Sequence, residues 1–178
     1  MTQEGQEFRG DKIGKMSDEE VEAFLHKPLM IEIACLKPDG APYITVAWHQ
    51  WEKGAYWLVV RERSPWAEYM KNDPRVSFVI HEWDPMMKVW GEGQAEIVEE
   101  PNVGGEWVGV GERMAERYLG PDGPKYLEPT FGQPRWLIKI NPTNVKTWQG
   151  VAWAKRYWVE DEKDGPSYEQ AMGLKSSA

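Results

Sequence analysis

The stretch TVAWHQWEKGAYWLVVRERSPW, from Thr45 to Trp66, holds four tryptophans, one histidine and two arginines. Two kinds of chemistry use such a mixture. Large rings bury area in a core, or they wall a flat aromatic ligand. Arg61 and Arg63 carry guanidinium N–H groups, which make charge-assisted bonds to oxyanions. They stand just ahead of Ser64-Pro65, a helix start whose exposed N–H groups and positive dipole end also suit an anion. A flat ligand with an anionic tail would use all of these features. In the competing reading the arginines are solvated turn residues and the tryptophans are core.

Other chemistries find less support. His26, His49 and His81 are far apart in sequence and form no metal-ligand spacing. HEWDP at 81–85 begins like a zinc helix motif but lacks the second histidine. GVGERM at 109–114 has two of the three glycines of a dinucleotide fingerprint, and it sits inside a helical pattern rather than between strand and helix. Neither G-x-S-x-G nor a phosphate-binding loop is present. The carboxylates of GEGQAEIVEE, 92–100 with Gly91, fit the solvated face of a strand. Cys35, the single cysteine, excludes an internal disulfide and reads as a small buried strand residue. No catalytic residue is assigned and no metal is expected.

The chain has 178 residues, enough for one domain with a true core. Lys+Arg 21 against Asp+Glu 29 gives a net charge of −8, which argues against a counterion-displacing nucleic-acid binder. Tryptophans on a barrel can stack single-stranded bases, but such grooves also need a positive track. The N-terminal MTQEGQEFRGDK lacks an apolar signal core, and no apolar run approaches the roughly 20 residues of a membrane span. The expectation is a soluble cytoplasmic protein without nucleic-acid or membrane partners.

The elements that would position these residues follow from local pattern. Ser17 and Glu20 form a capping box before a short helix that ends near Pro28. Ile31, Ile33 and Cys35 share one face of a first strand. PDG at 38–40 is a turn into a second strand, Tyr43 to Trp51. EKG at 52–54 turns into a third, Ala55 to Arg61. Both faces of strands two and three carry apolar residues, so both are expected to be covered. Pro65 opens a helix with Trp66, Tyr69 and Met70 on one face. DPRVSFVI is a fourth strand. MKVWGEGQAEIV is a fifth, with a bulge or close backbone approach at Gly91 and Gly93. Trp107, Val110, Met114 and Tyr118 recur at helical spacing before a stop at Gly120. RWLIKI and then Val145 to Trp148 form the sixth strand. The fold expected is mostly β: a six-stranded antiparallel split barrel with short crossover helices, since closure removes exposed edges. Residues 1–15 read as a flexible arm, 16–150 as the barrel, and 151–178 as an extension, aromatic at VAWAKRYW and then polar.

The phrases SDEEVEAFL, ACLKPDGAPYITVAW, RERSPWAEYMKNDPRVSFVI and GEGQAEIVEEP, in that order, resemble the pyridoxamine 5′-phosphate oxidase-like split-barrel proteins. Within them the chain is most similar to the flavin/deazaflavin oxidoreductases of B type. The resemblance covers roughly residues 16–150. It implies a homodimer with two cofactor sites at its interface, each for FMN or coenzyme F420. The ring would lie along Thr45, Val46, Ala47 and Trp48. The phosphate would sit near Val60, Arg61, Arg63, Ser64 and Trp66. Lys88 matches a position that faces the cofactor in relatives. Trp48, His49 and Trp148, the last from the partner subunit, would shape the substrate side.

The chain departs from the pattern in two places. Trp66 stands where relatives carry the basic residue of S-x-K. Thr45 and Gln50 stand where the oxidases proper place an arginine and a lysine. These changes argue against pyridoxamine phosphate oxidation itself. The expected function is an oxidoreductase that passes hydride between FMN or coenzyme F420 and a small organic substrate. The alternative is a non-catalytic split barrel holding a cofactor, a haem-like molecule or another aromatic ligand, and Trp66 could then fill the pocket.

Overall fold

A computed structural model of the chain describes residues 13–84 and 86–150. Helix α1 spans Asp18–Leu25 and begins with the full capping box: Ser17 Oγ accepts from Glu20 N–H, and the Glu20 carboxylate accepts from Ser17 N–H at 2.7 Å. Seven strands follow: β1 (Ile31–Leu36), β2 (Pro42–Ala47), β3 (Gln50–Glu52), β4 (Ala55–Arg61), β5 (Arg75–Glu82), β6 (Met87–Asn102) and β7 (Arg135–Gln149). Helix α2 (Pro65–Asn72) links β4 to β5, and α3 (Trp107–Leu119) lies between β6 and β7.

The strands form one sheet in the order β2-β1-β5-β6-β7-β4-β3, and every pairing is antiparallel. Its two edge strands, β2 and β3, are joined by Trp48 and His49 alone. So short a link spans only about 10 Å, so the sheet must roll until its edges nearly meet. The result is a split barrel whose seam lies at Trp48–His49. The expected second strand, Tyr43 to Trp51, is thus broken at the seam, which raises the count from six strands to seven.

Every strand but β2 sends buried apolar side chains inward, among them Ile31, Ile33, Cys35, Trp51, Tyr56, Leu58, Phe78, Ile80, Val89, Trp136, Ile138 and Ile140. A second cluster forms outside the barrel, where Trp107, Val110 and Met114 of α3 pack on Leu137, with Trp57 and Val59 beside them. The outer face of β4 is therefore covered, as its apolar pattern requires. The outer face of β2 is not: Ile44 is 69% and Val46 54% exposed.

Local devices match the chain's punctuation. Lys53 (φ 54°) and Gly54 (φ 72°) make the β3–β4 turn, whose paired positive φ values suit a tight hairpin. The β6–β7 register shifts at Glu92/Gly93. A Cβ at Gly91 would lie 1.9 Å from the Asn144 carbonyl oxygen, so only glycine lets the two backbones approach there. Residues 13–15, placed in the arm by sequence, include Gly14, which exchanges backbone hydrogen bonds with Gln149. The rest of that arm and the extension 151–178 lie outside the described residues. Among the described residues no helix is long and apolar enough to cross a membrane.

Candidate functional site

A cleft of about 400 Å³ opens beside the seam. One side is the end of β2, with Val46, Ala47 and then Trp48; another is β4 from Leu58 to Arg61. Ser64 and Trp66 at the start of α2 line it as well, as does Met30. Gly111 and Met114 of α3, Tyr126 and Leu127 of the following 3-10 turns, and Arg135 at the head of β7 complete it. The volume falls in the range of small-molecule sites, roughly 300–1,000 Å³.

Seven of the sequence-predicted residues are brought together here: Val46, Ala47, Trp48, Val60, Arg61, Ser64 and Trp66. Four are not. Thr45 pairs with Ile33 across β1–β2 and does not line the cleft. Arg63 is exposed in the turn before α2. Lys88 and Trp148 face each other across β6 and β7, away from Arg61. Lys88 lines a separate open groove of about 490 Å³ on the outer sheet face, with Ile44, Trp90 and Lys146. Its ammonium lies 4.9 Å from the Trp90 ring centroid, and Trp148 Nε1 donates to the Gly150 carbonyl at 3.1 Å.

Packing holds the aromatic wall. Trp48 stacks on Tyr118 at 4.6 Å between centroids and 4° between planes, with Tyr126 at 5.9 Å. Tyr118 is tied down in turn: its hydroxyl donates to the Leu29 carbonyl and accepts from Arg117 Nη2 at 3.0 Å. Arg117 also donates to the carbonyls of Leu25 and His49. This network clamps α3 to the seam and sets the plane of Trp48. Trp66, 9% exposed, belongs to the barrel core and forms the cleft floor without closing it.

His49 does not face the cleft. It is fully buried behind Trp48, with its ring edge toward Tyr56 at 5.5 Å. Burial, and then the neighbouring Arg117 charge, push its pKa down to about 3, so it stays neutral at ordinary pH. His26 and His81 are exposed and bonded to Glu22 and Glu32. Cys35 is buried in the barrel, and burial raises its thiol pKa.

The basic end of the cleft holds a residue that the sequence reading missed. Arg135 is 5% exposed and sits directly opposite Arg61 in the β4–β7 register. The only local signal was an arginine heading the apolar run RWLIKI. Its meaning depends on which strand pairs with it. Gly111, dismissed as part of a nucleotide fingerprint, lies in a helix as expected, and it lines the cleft.

A family model described as pyridoxamine 5′-phosphate oxidase matches residues 17–149. Among solved structures, the chain is similar to the conserved hypothetical protein Rv2991 of Mycobacterium tuberculosis: 31% identity, 79% of this chain and 88% of that one covered, TM-score 0.64. It shares its fold with an F420 reductase (23% identity, 70% and 94% covered, TM-score 0.56). It also shares it with HutZ, described as a haem storage protein of Vibrio cholerae (20% identity, 72% and 94% covered, TM-score 0.54). No curated protein matches the sequence. With a rolled antiparallel sheet, a seam-side cleft and a family match spanning the whole barrel, the chain belongs to the pyridoxamine 5′-phosphate oxidase family.

Proposed function

We propose that the cleft holds a flavin-class cofactor, FMN or coenzyme F420, and that the protein is an oxidoreductase acting on a small organic substrate. One observation carries the reading. A single cleft joins an apolar, aromatic wall (Val46, Ala47, Trp48) to a basic, hydroxyl-bearing end (Arg61, Ser64, Arg135). That is the polarity of a planar ring with a phosphorylated tail. When bound, such a ring supplies hydride transfer to or from a substrate stacked on it. The chain's own part is to place the ring against Ala47 and Trp48, hold the tail at β4, and keep water from the inner face through Leu58, Val60 and Trp66.

The second copy in a homodimer fits the outer sheet face. Ile44 and Val46 are exposed there, beside Trp90 and Lys88, and Val46 also lines the cleft, so the apolar surface runs continuously from groove to cleft. A copy seated on that face would bring its Lys88 and Trp148 toward the neighbour's cleft. Sedimentation velocity is expected to show a dimer, and the Ile44→Lys and Val46→Glu pair is expected to give a monomer with weakened cofactor affinity.

The haem-like alternative is less well supported. His49 is buried behind Trp48 and offers no nitrogen to the cleft, and His26 and His81 do not line it. The direct test is an absorbance titration of purified protein with FMN, coenzyme F420 and haem. Saturable micromolar binding of one of the first two, followed by substrate-dependent oxidation or reduction of the bound ring, supports the proposal. Binding of haem alone would overturn it.

A further inference from the structure

We infer that Arg61 and Arg135 form a paired-guanidinium seat for a phosphate ester, in place of the basic residue absent at Trp66. The inference deepens the cofactor reading and rests on it for the identity of the ring. The pair itself is argued from geometry.

Arg61 and Arg135 are direct cross-strand partners, so their side chains leave the sheet on the same face. Both line the cleft. Like charges placed opposite each other destabilise a sheet pair, and a buried cation without a partner costs more still. The described structure does little to offset this. Arg135 Nη2 donates to Thr130 Oγ1 at 2.8 Å, and the guanidinium carbon lies 5.3 Å from the Trp107 ring centroid. Arg135 Nε is buried and has no hydrogen-bond partner. No ion pair among the described residues involves Arg61 or Arg135.

The other described arginines differ from the pair: Arg63 is exposed to solvent, and only Arg117 shares with Arg135 a buried Nε without a partner. Arg75 pairs with Asp73, Arg113 pairs with Glu52, and Arg117 donates to two carbonyls. Burial and the Arg61 charge, partly countered by Tyr126, lower the Arg135 pKa, which expresses the same frustration. A bound oxyanion relieves it. Ser64 adds to the seat: its hydroxyl makes no capping bond to α2, though it stands at the N-cap. Two guanidinium forks and a hydroxyl lining one cleft suit the oxygens of a phosphate.

The experiment compares each ring with and without its phosphate, on the full chain: FMN against riboflavin, and coenzyme F420 against its phosphate-free ring alcohol. Inorganic phosphate, read by its effect on Tm, is a third probe. The variants are Arg61→Gln, Arg135→Gln and Arg135→Lys, each checked for folding by circular dichroism. Arg61 is only half-buried, so its variant reports even if Arg135→Gln fails to fold. The wild type is expected to bind the phosphorylated ring about 10- to 100-fold more tightly than the ring alone, the range of one to two charge-assisted bonds. Each glutamine variant is expected to remove most of that difference while leaving the bare ring within about twofold. Arg135→Lys, which keeps charge but loses the fork, falls between.

Equal affinity for both forms of the ring, or a phosphate preference untouched by either glutamine variant, would overturn the inference. If neither ring binds but inorganic phosphate raises the wild-type Tm and not that of Arg61→Gln, the seat stands and the cofactor reading fails. If the bare rings bind and phosphate has no effect, the cofactor reading stands and the seat fails.

Discussion

His49 should make the protein lose stability in mild acid. Its imidazole is fully buried, Nε2 has no hydrogen-bond partner, and the Arg117 guanidinium donates to its carbonyl. The folded pKa, about 3, lies below the ordinary 6.5. The unfolded chain therefore takes up the proton first. Stability is intact above pH 6.5 and falls continuously as pH drops toward 3. Linkage puts the loss at about 1.4 kcal/mol between pH 8 and pH 5.5, and about 2 kcal/mol by pH 5. Carboxylates held low by partners, such as Glu52 beside Arg113 and Glu96 beside Lys139, add their own loss only in stronger acid. The window from pH 8 to 5.5 therefore isolates the histidine. The assay is urea unfolding at fixed protein concentration, comparing wild type with His49→Gln. The variant's own stability does not matter; only its slope with pH does, since His26 and His81 are common to both proteins. A wild-type slope that exceeds the variant's by the stated amount supports the account. Parallel slopes would show that His49 is solvated or protonated in the fold, and the burial argument would fail.

Three further outcomes are expected. Gly91→Ala should destabilise the fold by about 3 kcal/mol or more, because the new methyl meets backbone rather than a movable side chain; its Tm relative to Gly93→Ala, whose Cβ meets atoms no nearer than 2.9 Å, checks the ordering. Glu99→Ala should cost about 1–2 kcal/mol, since the Glu99 carboxylate accepts from the backbone N–H groups of Glu106 and Trp107 at 2.9 and 3.1 Å and supplies the cap that α3 lacks locally; amide exchange should rise first in that helix turn. Trp48→Ala should weaken ring binding about tenfold through loss of the aromatic wall, and should also lower the Tm, since its stack on Tyr118 goes with it. An unchanged ring affinity would remove Trp48 from the site.

Much of the fold was written in short-range signals. The capping box at Ser17 and Glu20, proline at the first position of α2, the Lys53-Gly54 turn and the limits of β4 are set by local chemistry, and they appear where the sequence places them. The seam was not legible. The apolar residues run through Trp48 and His49 without a breaker, and the strand stops there because the rolled sheet must change edges. The site divides in the same way. Residues contiguous with Trp48 or Ser64 were identified from one stretch of chain. Arg135 was missed because its role arises only when β7 pairs with β4. Lys88 and Trp148 were assigned by family likeness, yet they pair on adjacent strands and neither lines this cleft. Tyr126 and Leu127 reach the cleft through two 3-10 turns inside a stretch that pattern reads only as loop.

The segment that carries α3 leaves the sheet after Asn102 and rejoins it at Arg135, and these two residues are register partners on adjacent strands. In effect it is a long insertion in a single hairpin. It furnishes Gly111, Met114, Tyr126 and Leu127 to the cleft, yet its two ends need only meet side by side. Mutations, insertions or whole replacements between them can therefore reshape one wall of the cleft while the ladder hydrogen bonds of the barrel stay as they are. Descendants of one scaffold can diverge in ligand choice through this cassette, and grafting residues 103–134 between relatives is a practical route to exchanging specificity.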